Sequence, residues 1–174
     1  MSVKKILIEP NKILRQVSQP VNVVNKEIQK LLDDMLETMY SANGIGLAAI
    51  QIGIPKNLIV IDLLTKENKK DPMYFINPKI IKQSEKLSKY EEGCLSIPNS
   101  FAEVQRPSEC EVQYLDYTGE KKFLKATGLL STCIQHEIDH LKGILFIDYL
   151  SKLKRDIILK KLSKQKIEQK RLVI

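Results

Sequence analysis

At 174 residues, 43% of them hydrophobic, the chain can bury one well-packed core but is short for two ordinary domains. No stretch approaches the roughly 18 apolar residues that span a bilayer, and the opening MSVKKILIEP lacks the apolar run of an export signal, so a soluble cytoplasmic protein with no membrane partner is expected. The formal charge is +7, but the nine Lys and Arg after residue 151, set against Asp156 and Glu168, account for all of it, which argues against a DNA-binding body and directs any electrostatic partner to the C-terminus.

One domain over residues 1–174 is expected, because no repeat, low-complexity block or Gly/Ser linker interrupts the chain. Asn25 suits the cap of a first helix, in which Ile28, Leu31, Leu32, Met35, Leu36 and Met39 recur at three- and four-residue steps until Asn43-Gly44 stops it. Asn57 to Leu63 and Tyr74 to Ile81 are short runs rich in β-branched residues and bounded by breakers, as strands are. ECEVQYLDY and EKKFLKA flank Thr118-Gly119 and read as an antiparallel hairpin. A second helix is predicted from a Thr127 cap to Leu141, with Gly143 where a C-terminal glycine usually sits. From Tyr149 to about residue 170, Leu150, Leu153, Ile157, Leu162 and Ile167 can share one stripe of a basic amphipathic helix. The fold class is therefore α+β.

Both histidines of the chain fall in one motif, HEIDH, where His136 and His140 stand four apart. On a helix that spacing puts both imidazoles on one face, so they can converge on one ion, and Glu137 between them can reach a water on that ion without being a ligand. The plain alternative is a surface helix whose charges happen to spell the pattern. Catalytic metal sites usually take three protein ligands and leave a position for water. Neither Asp148 nor Glu168 downstream sits in a recognisable ligand motif, which leaves the cysteines. Cys133 shares the face of His136, whereas Cys94 lies in the non-helical YEEGCLSIP, and spacing leaves both open. Cys110, in a strand-like run, reads as a small buried apolar residue. An odd, sparse set of three cysteines fits a reducing compartment.

Three segments in order, GIGLAAIQ at 44–51, EGCLS at 92–96 and QHEIDHLKG at 135–143, resemble the three motifs of the peptide deformylases, and the resemblance covers essentially the whole chain. It implies antiparallel sheets packed around a central helix carrying HEIDH, with an N-terminal and a C-terminal helix. It implies Cys94, His136 and His140 as metal ligands, with Fe²⁺ expected in the cell and Zn²⁺, Ni²⁺ or Co²⁺ able to take its place. The expected reaction removes the formyl group from N-formylmethionyl nascent peptides. In it Glu137 is the proton acceptor, and the Gln51 amide and the Leu95 backbone N–H stabilise the oxyanion. The resemblance further implies that Ile45 and Gly46 pair with an extended substrate, that Ile45, Glu92, Leu129 and Cys133 line the methionine pocket, and that Arg106 and Asp139 form a buried ion pair.

Two positions depart from the family pattern. Phe101 stands where an arginine is frequent and Thr132 where an aliphatic pocket residue is common, so contacts to the substrate backbone and the polarity of the pocket are expected to differ. In long-tailed members the C-terminal helix docks on the ribosome near the exit tunnel, where RNA phosphates would make binding steeply salt-dependent. Two other functions fit parts of the sequence. A zinc endopeptidase would cleave internal peptide bonds without needing Cys94, and a ribosome-associated factor with a structural metal would be indifferent to Glu137→Ala.

Overall fold

The computed structural model describes residues 2–63 and 70–171, the last six by backbone course alone. Helix α1 (Lys26–Ser41) begins where the Asn25 side chain accepts the Ile28 N–H, so one of the orphan donors of the first turn is satisfied as predicted. Strands β1 (Gly46–Ala48), β2 (Leu58–Ile61), β3 (Met73–Gln83), β6 (Glu109–Leu115) and β7 (Lys121–Thr127) form one antiparallel sheet in the order β1-β2-β3-β6-β7. Strands β4 (Leu87–Cys94) and β5 (Ile97–Pro107) form a separate hairpin. Helix α2 (Gly128–Leu141) follows β7 directly, and α3 (Lys152–Arg171) ends the described chain.

Alternation along β2 explains the layering. Ile59 and Ile61 point to one face, where with Phe75, Val112 and Ala126 they meet Ile134, Ile138 and Leu141 of α2. Leu58 and Val60 point to the other, where with Leu47 and Ile76 they meet Leu32, Met35 and Met39 of α1. The sheet is thus covered on both faces, and each large apolar side chain so buried contributes about 1.5–3 kcal/mol. A third cluster joins Ile97 and Val104 of β5 to Leu145, Phe146, Ile147 and Leu162.

The first helix, strands β2 and β3, the β6–β7 hairpin and α2 stand where the sequence places them. Thr127 does occupy the cap position of α2, but its side chain makes no capping hydrogen bond. The terminal helix differs from expectation. Residues 146–149 form a 3-10 turn and α3 starts at Lys152. Leu153 and Ile157 face solvent, while Leu162, with Ile158 and Leu159 partly buried, faces the third cluster. The predicted stripe is therefore on the wrong side at those two positions, because two interleaved apolar rows exist and Phe146 and Ile147 select the second. The Ile167 side chain lies outside the described residues. No helix among the described residues is long and apolar enough to cross a membrane.

Candidate metal centre

Helix α2 runs through the middle of the molecule with residues 131–141 all buried. Its spacing brings His136 and His140 onto one side with ring centroids 5.0 Å apart. Cys94 arrives from the end of β4. The β4–β5 ladder pairs Gly93 with Phe101 but Cys94 with Ile97, and this bulge in β5 turns the Cys94 thiol toward α2. Its Sγ lies 3.2 Å from His140 Nε2, and one ligand atom from each of Cys94, His136 and His140 lies within 4.8 Å of the others. Bonds of about 2.0–2.3 Å from one ion can span that triangle, and a soft thiolate with two imidazoles suits a divalent transition metal. The donors therefore fit such an ion. Cys133 is not among them: its Sγ faces the Ile45 carbonyl at 3.9 Å.

Two buried groups at this point have no hydrogen-bond partner among the described residues, His140 Nδ1 and Glu137 Oε2. Burial pushes the Glu137 carboxyl up to about 7, with Glu92 adding to the rise and His136 and Arg106 opposing it. Burial, then repulsion from His136 and Arg106, holds His140 well below an ordinary imidazole, which favours the neutral ring that ligates. Burial also disfavours charge on His136, but its hydrogen bonds to Cys94 and Glu92 outweigh it and raise its pKa.

The segment at 44–51 closes the site from the other side. The Ala48 N–H donates to Gln51 Oε1 at 2.8 Å, which orients the amide so that Nε2 faces Ser96 Oγ at 3.2 Å and Cys94 Sγ at 3.6 Å. A Cβ on Gly46 would stand 2.5 Å from Glu137 Oε1 and 3.0 Å from Cys133 Sγ, so the absent side chain lets β1 touch the Glu137 carboxylate. Leu95 directly follows Cys94, and its side chain covers Gly44. A cavity of about 660 Å³ opens here, lined among others by Ile45, Gly46, Glu92, Leu129 and Cys133. Phe101 and Thr132 line it as well. A volume of this size holds a ligand larger than one amino acid.

Arg106 and Asp139 do pair, with Nη1 2.7 Å from Oδ2, in a buried setting. What the sequence reading missed is that Glu92 belongs to the same network. Its Oε1 accepts from Arg106 Nε at 2.6 Å and its Oε2 from Arg106 Nη2 at 3.0 Å, while Oε2 also meets His136 Nδ1 at 2.8 Å. Glu92 lines the cavity, and its carboxylate oxygens are engaged by Arg106 and His136. A signal was present, since residues 92 and 94 of one strand share a face. Tyr149 adds a hydrogen bond to Asp139 Oδ2 at 2.7 Å and lies under the Arg106 guanidinium.

A family model described as polypeptide deformylase matches residues 3–156. The peptide deformylase of Pelagibacter ubique (strain HTCC1062) is 63% identical over 174 residues, 100% of both chains, and that of Rhizobium meliloti (strain 1021) is 56% identical over 164 residues, 94% of both. The crystal structure of the peptide deformylase from Ehrlichia chaffeensis superposes with a TM-score of 0.93 at 42% identity, covering 97% of this chain and 99% of that one. A structure of the Ehrlichia chaffeensis peptide deformylase in complex with actinonin gives 0.91 at 45% identity, covering 95% and 98%.

Proposed function

The chain belongs to the polypeptide deformylase family, metal-dependent hydrolases that remove the formyl group from nascent peptides, and on that premise we propose the roles of its residues. Cys94, His136 and His140 hold the ion, Fe²⁺ in the cell with Zn²⁺, Ni²⁺ or Co²⁺ as substitutes. When bound, the ion supplies Lewis acidity near neutral pH.

Glu137 accepts the proton of the attacking water and later returns it to the amine that leaves. Its position in the buried site, with no other claim on its Oε2 among the described residues, leaves it available for both transfers. As the formyl carbon becomes tetrahedral, the Gln51 amide and the Leu95 N–H face the developing oxyanion. Ile45 and Gly46 pair with the extended peptide as an added strand, and Leu129 and Cys133 wall the pocket of the first side chain. Arg106 and Asp139 brace α2, and the described chain acts as one catalytic unit in the cytoplasm.

The convergence of three ligand atoms beside the unpartnered Glu137 carboxylate carries this reading. The test is anaerobic formate release from formyl-Met-Ala-Ser by wild type, Glu137→Ala and Cys94→Ser. Release by wild type alone supports both roles, whereas metal-loaded protein that releases no formate sinks them.

The C-terminal helix is further read as the contact to the ribosome near the exit tunnel, because Lys152, Lys154, Lys160 and Lys164 are all exposed and can meet RNA phosphates. Truncation after Ser151 would also remove Leu162 from the third cluster, so charge reversal of Lys154, Lys160 and Lys164 is the cleaner test. Ribosome binding that survives it at physiological salt refutes the docking role.

A further inference from the structure

The α2 residues that line the cavity are Leu129, Thr132, Cys133, His136 and Glu137. Their spacing of three, four, seven and eight is one face of a helix. Four of these side chains are apolar, metal-facing or proton-carrying. Thr132 is not. It is 4% exposed, it stands one turn before His136, and its hydroxyl has no hydrogen-bond partner among the described residues. A helical threonine ordinarily donates to the carbonyl three or four residues back. This hydroxyl does not, and a buried unpaired hydroxyl is costly.

A substrate whose formyl group lies between His136, Glu137 and Gln51 places its first side chain within about one helical turn of these residues, against the wall that Thr132 forms. Rotation about χ1 exchanges the hydroxyl and the methyl on that wall, and both rotamers are open to threonine in a helix. A thioether or aliphatic end cannot satisfy the hydroxyl. An acceptor at the end of the side chain can.

Resting on the deformylase reading, we propose that Thr132 is a specificity-determining residue that makes the first-residue pocket accept side chains ending in a hydrogen-bond acceptor. The sulfoxide of oxidised methionine is nearest to methionine in length and shape. The Thr132 O–H donates and the sulfoxide oxygen accepts, and formyl hydrolysis itself is unchanged.

The experiment compares kcat and KM for formyl-X-Ala-Ser with X as methionine, methionine sulfoxide or norleucine, in wild type, Thr132→Val and Thr132→Ser. Thr132→Val keeps the shape and removes the hydroxyl. It is expected to lower the sulfoxide-to-norleucine ratio of kcat/KM about tenfold, the worth of one hydrogen bond made and one burial cost relieved, chiefly through KM. Thr132→Ser is expected to keep the wild-type ratio. Equal ratios in wild type and Thr132→Val, or a wild type that rejects the sulfoxide as strongly as Thr132→Val does, overturn the proposal while leaving deformylation intact. Wild-type protein that releases no formate even from formyl-Met-Ala-Ser overturns the underlying reading and this proposal with it.

Discussion

His136 Nδ1 lies 2.8 Å from Glu92 Oε2, and the same carboxylate is held in a two-pronged grip by Arg106. The bond fixes the ring plane and leaves Nε2 free for the metal in the proposed site. Such partners of metal ligands typically contribute 10- to 100-fold in metal affinity. Glu92→Gln, similar in shape but uncharged, is therefore expected to weaken metal retention by about that factor, read by chelator competition. Unaltered retention would mean that Glu92 does not orient His136.

Gly46→Ala tests the contact between β1 and Glu137, the proposed proton acceptor. The backbone there is ordinary strand, so the added methyl creates no conformational strain, but it would meet Glu137 Oε1 at 2.5 Å and push the carboxylate away. A displacement of about 1 Å at a reacting group can cost on the order of 10²-fold in rate. Formate release should fall by roughly that much with the melting temperature nearly unchanged. Full activity would show that the carboxylate has room to shift.

The Gln51 side-chain amide accepts from the Ala48 N–H and donates to Ser96 Oγ. Gln51→Ala should lower kcat by about 10²–10³, as for other oxyanion donors, while metal content stays stoichiometric. Loss of metal in step with activity would instead assign Gln51 to holding Cys94, whose sulfur is 3.6 Å from its amide.

Asp116 offers a pH test away from the metal. Its carboxylate accepts from Thr118 N, Thr118 Oγ1 and Glu120 N in the turn between β6 and β7. Burial works to raise its pKa, but these donors outweigh it and hold it below the ordinary 3.8. A carboxyl lowered in the folded state stabilises above its unfolded value, and that stabilisation disappears as pH falls through the folded one. Wild type should exceed Asp116→Ala by about 1 kcal/mol in urea unfolding at pH 7, the difference shrinking below about pH 4. A gap that persists at pH 2 would trace to turn geometry and not to charge.

Helix α1 was legible because Asn25, the apolar period and Asn43-Gly44 all mark the same boundaries. The β4–β5 hairpin was not. KLSKYEEG reads as a charged loop, and along β4 only Glu92 is fully buried, so no apolar alternation announces a strand whose inward face is chemical. Strand β1 is three residues long, too short for any period. The His136–His140 pair was legible from its spacing, but the thiol of the candidate metal site was legible only by resemblance, since spacing could not choose between Cys94 and Cys133. That choice depends on the bulge opposite Cys94, a tertiary feature with no local sequence signature. The outward rotation of Leu153 and Ile157 likewise depends on Phe146 and Ile147, to which α3 docks.

Of the eleven consecutive buried residues in α2, seven are polar: Ser131, Thr132, Gln135, His136, Glu137, Asp139 and His140. A helix at the centre of a small protein would be more stable with well-packed apolar side chains at most of those positions. Selection for heat resistance alone would therefore erase the chemistry before it altered the scaffold. Thermostable variants chosen without an activity screen should accumulate their first substitutions on this helix.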